Sequence, residues 1–328
     1  MKVVVIGGSG HIGTYLVPKL VRENHQVVMV SRGKSEPYIK DWAWEKAEQV
    51  TLDRSSDPYF AEKIAELNAD VVIDLICFKL DEVKEMVEAL KISDLSHYIY
   101  CSTIWTHGRA ETIPVDPNGV KYPLDEYGRQ KYESEKYLKH EYRVNGFPAT
   151  MVSPGQICGP GWSIISPLGY GDDSVFQTIA DGKEIILPNL GMETLHPVHA
   201  EDVAQMFVDA MNHRTQSLGE NFHAVSEESL TLYGYAMTMY RFFAKEPKIS
   251  FLSWDKWCDQ LADEKQTTVS YLHIARSGSY SIENAKRLIG YKPRYSAAQV
   301  VEASIQSYID RGVITVKQTN QSKARSAG

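Results

Sequence analysis

Gly7-Gly8-Ser9-Gly10-His11-Ile12-Gly13 follows directly on the apolar run Val3-Val4-Val5-Ile6 and leads straight into an amphipathic stretch, His11–Glu23. Few folds accommodate so tight a turn between a buried strand and a helix. Early glycines let the backbone turn and come close to a pyrophosphate, and the last one lets the helix pack against the sheet. Backbone N–H groups at the helix start have no partner within the helix and face the anion. Glycine also collects in ordinary turns, but here Val27–Val30 completes a strand–loop–helix–strand unit. That unit predicts a dinucleotide site built on Gly7, Ser9, Gly10, His11, Ile12 and Gly13.

The alternation continues through the first half of the chain. After a weaker strand at Glu48–Leu52, Asp57-Pro58 reads as an N-cap with proline at the first helical position, opening a helix over Tyr59–Leu67. Strands are expected at Val71–Ile76, Tyr98–Cys101 and Ala149–Ser153, with helices at Leu80–Leu90 and Leu124–Tyr142. Continuous apolar strands alternating with helices call for a parallel sheet covered on both faces, an α/β doubly wound (Rossmann) layout. Residues 154–190, rich in glycine and proline, are expected to be mostly loop, and helices are expected near Leu230–Lys245, Ser253–Leu261 and Ser296–Arg311. The expected organisation is a dinucleotide-binding domain over 1–155, with 191–225 returning to it, and a smaller, mostly helical C-terminal substrate lobe over 156–190 and 226–315. Residues 316–328 are polar and aperiodic, and are expected to form a mobile tail.

Composition narrows the function classes. Apolar runs such as Val27-Val28-Met29-Val30 stop far short of the roughly 20 residues a spanning helix needs, so no membrane association is expected. Thirty-five Lys and Arg against 42 Asp and Glu, a net charge of −7, argue against a nucleic-acid partner. Cys77, Cys101, Cys158 and Cys258 stand singly, with no zinc spacing and no disulfide framework. Reduced, buried thiols and an N-terminus without a leader pattern give cytoplasmic location as the expectation.

Two further positions bear on the cofactor. Where a carboxylate at the end of the second strand would hold an adenosine ribose, this chain has Ser31-Arg32, and a guanidinium there suits a 2′-phosphate. Asp53, at the end of the third strand, is placed to meet the adenine amino group. NADP, with NAD as the other option, is therefore the expected cofactor.

A Tyr with Lys four residues later lies on one helix face. The pattern occurs at Tyr15/Lys19, Tyr59/Lys63, Tyr127/Lys131 and Tyr132/Lys136, so alone it selects nothing. What distinguishes Tyr127-Gly128-Arg129-Gln130-Lys131 is its distance behind Cys101-Ser102-Thr103 at the end of a central strand. Tyr132 is about 140° round the helix from Tyr127, so only one of the two can face a nicotinamide.

These features resemble the extended short-chain dehydrogenase/reductase superfamily, specifically its NAD-dependent epimerase/dehydratase group. The resemblance rests on Gly7-x-x-Gly10-x-x-Gly13, Ser102-Thr103 and Tyr127-Gly128-x-x-Lys131 followed by Glu135. It continues through Pro154-Gly155-Gln156-Ile157-Cys158-Gly159-Pro160-Gly161, His199-Ala200-Glu201-Asp202-Val203-Ala204 and the segment Asn284–Pro293. Ser31-Arg32-Gly33 and Tyr127–Lys131 also resemble the branch containing chloroplast stem-loop RNA-binding proteins. The resemblance implies Tyr127 as acid/base, Lys131 as the charge that lowers its pKa and holds the nicotinamide ribose, and Thr103 as the partner of the substrate oxygen.

Departures from the group concern the substrate. Ser153 stands where Arg or Asn often precedes the proline, Glu193–Pro197 contains no Arg, and His107 replaces a Tyr. The expected substrate contacts are Thr103, Ser153 and, as a phosphate ligand, Arg276. No metal is expected. His199 is expected to anchor the helix that begins near Asp202, and Trp42, Trp44, Trp254 and Trp257 to serve packing. The leading expectation is an NAD(P)-dependent oxidoreductase or epimerase acting at a carbinol carbon of a small sugar or sugar-nucleotide-like substrate, with a homodimer left open. The alternatives are an NADPH-dependent ketone or aldehyde reductase and a non-catalytic RNA-binding protein. A 4,6-dehydratase is disfavoured, because Ile104-Trp105 follows Thr103 where such enzymes have Asp-Glu.

Overall fold

The computed structural model describes residues 1–34, 36–261 and 263–316; the expected tail, apart from its first residue, lies outside them. In chain order the first half runs β1 (Lys2–Ile6), α1 (His11–Arg22), β2 (Gln26–Ser31), β3 (Glu48–Thr51), α2 (Phe60–Glu66), β4 (Val71–Asp74), α3 (Leu80–Leu90), β5 (His97–Cys101), α4 (Glu126–Asn145) and β6 (Ala149–Pro154). Short elements follow: β7 (Gln156–Cys158), α5 (Asp173–Ala180), β8 (Ile185–Pro188), β9 (Thr194–Leu195) and β10 (Pro197–His199). Then come α6 (Ala200–Asn212), α7 (Arg214–Ser217), β11 (Asn221–Ala224), β12 (Leu230–Thr231), α8 (Leu232–Phe242) and β13 (Ile249–Leu252). The chain closes with α9 (Trp254–Leu261), α10 (Glu264–Ile274), α11 (Glu283–Ile289) and α12 (Ala297–Asp310).

Seven strands make one sheet in the order β11-β6-β5-β4-β1-β2-β3, every pair parallel. The doubly wound expectation holds, and its cause is visible in the strands. Val3 and Val5 point into a core shared with Leu16 and Leu20 of α1 and Val203 and Phe207 of α6. Val4 and Ile6 point the other way, into a core with Ile64 of α2, Val87 of α3 and Leu138 of α4. Each such side chain, fully buried, contributes about 1.5–3 kcal/mol. Strand order reverses between β1 and β4, and a crevice opens beyond their carboxyl ends.

A third core, holding Phe176 of α5, Leu187 of β8, Tyr235 and Met239 of α8, Trp257 of α9 and Val301 and Ile305 of α12, fills the rest of the chain. Three local expectations need correction. Helix α2 starts at Phe60, because the Asp57 carboxylate accepts from Tyr59 N–H and shapes a turn before the helix. Residues 154–190 contain a helix, α5, which buries Val175, Phe176 and Ile179 despite the glycines before it. Helix α10 was not expected; Asp263 caps it by accepting from Lys265 and Gln266 N–H. No helix among the described residues is long and apolar enough to cross a membrane.

Candidate active site

The β1–α1 turn is held by sterics. Gly7 has φ +86°, and a Cβ there would lie 2.7 Å from Ile76 Cγ2. At Gly13 a Cβ would lie 2.1 Å from the Gly8 carbonyl oxygen, so only glycine lets α1 pass this close to the loop. Gly10 is the helix N-cap and supplies no side-chain acceptor, so the positive end of α1 is left open. The cradle fits a dinucleotide pyrophosphate: close backbone, no Cβ in the way, and a helix start directed at the anion.

This turn borders a cleft of about 360 Å³ lined also by Leu75, Ile76, Cys101, Ser102, Thr103, Tyr127, Lys131, Pro154 and Gly155. Those residues lie at or just beyond the carboxyl ends of β4, β5 and β6 or sit on α4. Asp125 caps α4, its carboxylate accepting from Gly128 N–H at 2.6 Å. A Cβ on Gly128 would meet the Trp105 carbonyl oxygen at 2.3 Å. Gly128 thus allows α4 to press against the turn 103–107 and brings Tyr127 to Thr103. The Thr103 hydroxyl accepts from Trp105 N–H at 3.2 Å and neighbours the phenol.

One helical turn on, the Lys131 ammonium donates to the Cys77 and Cys101 carbonyls at 2.7 and 2.6 Å. It lies 5.9 Å from the Tyr127 ring centre. Burial lowers the Lys131 pKa, while Cys101, Cys77 and Asp74 oppose that shift. Desolvation beside the cleft pushes the Tyr127 phenol above its ordinary range, Cys101 and Asp125 add to the rise, and Thr103 works against it, while the residue as a whole stays 39% exposed. A phenol so placed needs added positive charge beside it to become a base. Tyr132 takes no part in lining the cleft; its ring lies 5.9 Å from the Lys121 ammonium and 5.0 Å from that of Lys136.

The structure therefore brings together the glycine turn, Thr103, Tyr127 and Lys131. His11 joins them, stacked on Trp162 at 4.6 Å, bonded to the Tyr38 hydroxyl and donating from Nε2 to the Cys158 carbonyl at 3.2 Å. Burial holds its pKa down near 3, so its ring is neutral. Ser31 ends β2 and accepts from Gly33 N–H at 3.2 Å, with Arg32 exposed beside it. Asp53, after β3, binds Ser55, and Arg32 and Lys34 help hold its carboxyl low.

Ser153 and Arg276 do not reach the cleft. Ser153 is fully buried in β6, donating to Asn221 at 2.8 Å and lying 3.2 Å from Glu135. Arg276 is 2% exposed and turned onto protein partners. His199 caps α6, its Nδ1 accepting from Glu201 N–H at 3.1 Å. Among the described residues no group of three or more His, Cys, Asp or Glu is placed to hold a metal. Sequence reasoning missed Phe78, Trp162 and Ile157, which wall the cleft with apolar surface. Trp162 directly follows the quoted Gly159-Pro160-Gly161, whereas Phe78 had no signal beyond following a strand.

The family model described as NAD dependent epimerase/dehydratase matches residues 3–223. The chloroplast stem-loop binding protein of 41 kDa b of Arabidopsis thaliana is 26% identical over 320 residues, 94% of this chain and 78% of that protein. The 2′-dehydrokanamycin reductase of Streptomyces kanamyceticus is 26% identical over 64% of this chain and 58% of its own length. Among solved structures, the UDP-glucuronic acid 4-epimerase of Bacillus cereus, in complex with UDP-glucuronic acid and NAD, superimposes with a TM-score of 0.72 at 17% identity. It covers 95% of this chain and 100% of its own. The UDP-glucose 4-epimerase of Thermotoga maritima, with UDP-glucose, gives 0.72 at 18% identity over 95% and 99%.

Proposed function

Since the chain belongs to the NAD dependent epimerase/dehydratase family and is an NAD(P)-dependent enzyme of that type, we propose that it acts at a carbinol carbon of a sugar or sugar-derived small molecule, with Tyr127 as the acid/base. The observation that carries this reading is the placement of Tyr127 and Lys131 one turn apart on α4, beside Thr103 and facing the glycine turn across one cleft. The nicotinamide, when bound, supplies the place to which a hydride goes and from which it returns.

The protein's own part is positioning and proton transfer. Thr103 holds the substrate hydroxyl oxygen, and Tyr127 Oη takes or returns that hydroxyl's proton. Lys131 holds the ribose and stabilises the phenolate. Gly7, Ser9, Gly10, His11, Ile12 and Gly13 hold the pyrophosphate. Ser31 and Arg32 favour NADP through a 2′-phosphate, and Asp53 meets the adenine. Phe78, Ile157 and Trp162 give the cleft an apolar wall. Residues 1–155 with 191–225 bind the dinucleotide, and 156–190 with 226–315 the substrate. The reading includes no nucleic-acid partner, which the net charge of −7 supports, and cytoplasmic location, which the single unpaired cysteines support.

Reductase chemistry is a second reading, supported by the matched Streptomyces kanamyceticus relative, which is named 2′-dehydrokanamycin reductase. The test is cofactor stoichiometry on a substrate captured by co-purification and identified by mass spectrometry. An epimerase leaves the total of reduced dinucleotide unchanged over many turnovers; a reductase consumes one per product. Turnover by neither route would contradict the proposal.

A further inference from the structure

We propose that Arg276 is a positioning residue, which clasps the capping carboxylate of α4 and the Trp105 ring and so fixes where Tyr127 stands. The inference rests on the reading of Tyr127 as the acid/base. A buried arginine in this lobe would ordinarily be read as a ligand for substrate phosphate, yet all three nitrogens of this guanidinium donate to the protein. Nη2 donates to the Asp125 carboxylate at 3.2 Å, Nε to the His107 carbonyl at 3.3 Å, and Nη1 to the Leu272 carbonyl. Its flat face lies 4.2 Å from the centre of the Trp105 ring.

Each partner leads to the active site by one further contact. Asp125 binds the Gly128 N–H and so sets the first turn of α4. The Trp105 ring meets the Tyr127 ring edge-on, 5.9 Å between centres, and the His273 ring on another side at 4.9 Å. His107 ends the turn that begins at Thr103. Arg276 itself follows α10 directly, and its own carbonyl accepts from Ala110 N–H at 2.9 Å. A single cation thus joins the lobe, the Thr103 turn and the helix carrying Tyr127.

The clasp also has an electrostatic side. Groups facing the phenol are Cys101 from β5, Thr103, Asp125 and Lys131, with neutral His273 beyond Trp105. Asp125 disfavours the phenolate. Arg276, paired with that carboxylate, offsets its field. Removing the guanidinium frees the Asp125 charge to act on Tyr127, which makes the phenolate harder to form.

Three measurements on the full chain loaded with oxidised dinucleotide test this. Amide exchange over residues 126–131 should be about fivefold faster in Arg276→Ala, with distant strands unchanged. The tyrosinate absorbance that Tyr127→Phe removes should titrate about half a unit higher in Arg276→Ala and return to the wild-type midpoint in Arg276→Lys. Calorimetry with UDP should show no loss of affinity in Arg276→Ala. Should that variant fail to fold, Asp125→Asn keeps a cap but loses the charge, and its midpoint should fall below wild type. Wild-type exchange and an unmoved midpoint in Arg276→Ala, an unmoved midpoint in Asp125→Asn, or UDP binding that disappears with the guanidinium would each overturn the proposal. None of these readouts uses turnover, so failure of the acid/base assignment is seen separately in the activity of Tyr127→Phe.

Discussion

Lys131 donates from its ammonium to the carbonyl oxygen of Cys101 at 2.6 Å, tying the second turn of α4 to the last residue of β5. With the Cys77 carbonyl also bound, the cation is held between the end of β5 and the segment that follows β4, 5.9 Å from the Tyr127 ring centre. Lys131→Met would leave both carbonyls without this donor. A cost of about 1–3 kcal/mol is expected, read as a lower midpoint in denaturant with an unchanged slope. Dinucleotide affinity should fall as well, measured by fluorescence titration.

Beneath Ser102 lies a buried ion pair, Lys121 and Glu135, 2.5 Å apart, with Ser102 and Ser153 hydroxyls on the same carboxylate. Lys121→Met should destabilise by about 3–5 kcal/mol, because it leaves the Glu135 charge buried without its partner. Replacing both members, Lys121→Met with Glu135→Leu, should recover most of that loss. A double variant no more stable than the single one would contradict the account of this pair.

Gly13→Ala should abolish dinucleotide binding. The added Cβ would sit 2.1 Å from a backbone oxygen, where no side-chain rotation gives relief, so α1 must move off the loop. Gly146→Ala is the control: its φ of +72° carries strain, but no atom lies within 4 Å, and binding should survive.

Acid should unfold this protein steeply. Burial lowers the pKa of His196, His199 and His273 from 6.5 to about 4, and that of His11 to about 3. These rings are neutral in the fold and take up protons on unfolding. Their stabilisation is therefore complete above pH 6.5 and is lost as pH falls toward 4. Each ring contributes a slope of about 1.4 kcal/mol per pH unit in that window. Denaturant midpoints at successive pH values check this, and His273→Gln should flatten the curve.

The cofactor side of the site was largely legible and the substrate side largely was not, for a physical reason. Gly7, Gly10 and Gly13 answer to local sterics of a strand–turn–helix unit, and Tyr127 and Lys131 to the period of one helix. Contacts across the chain leave no such periodic trace. Phe78 follows β4 and Trp162 follows β7, and only the fold sets them on one cleft. Arg276 was expected at a phosphate because nothing near it in sequence announces Asp125, 151 positions away. Helix α5 was hidden for a different reason: the glycines and prolines of 154–171 mask an eight-residue helix whose apolar face, Val175, Phe176 and Ile179, is short.

In the proposed reading, cofactor choice turns on Arg32. A well-formed guanidinium–phosphate pair is worth about 1.5–3 kcal/mol, so Arg32→Ala should weaken NADPH roughly tenfold to a hundredfold and leave NADH nearly unchanged. Equal losses for both, or a wild-type enzyme that binds NADH more tightly, would contradict the preference.

The central claim is that Tyr127 moves the substrate proton while the dinucleotide moves the hydride. Its most direct measurement is the transient absorbance of reduced dinucleotide within the first turnover, after rapid mixing of oxidised-cofactor enzyme with a ligand captured by co-purification. Wild type and Tyr132→Phe should show the rise, and Tyr127→Phe should slow it by a factor of about 10²–10⁴ with dinucleotide affinity intact. Wild-type reduction by Tyr127→Phe, or its loss in Tyr132→Phe alone, would contradict the account.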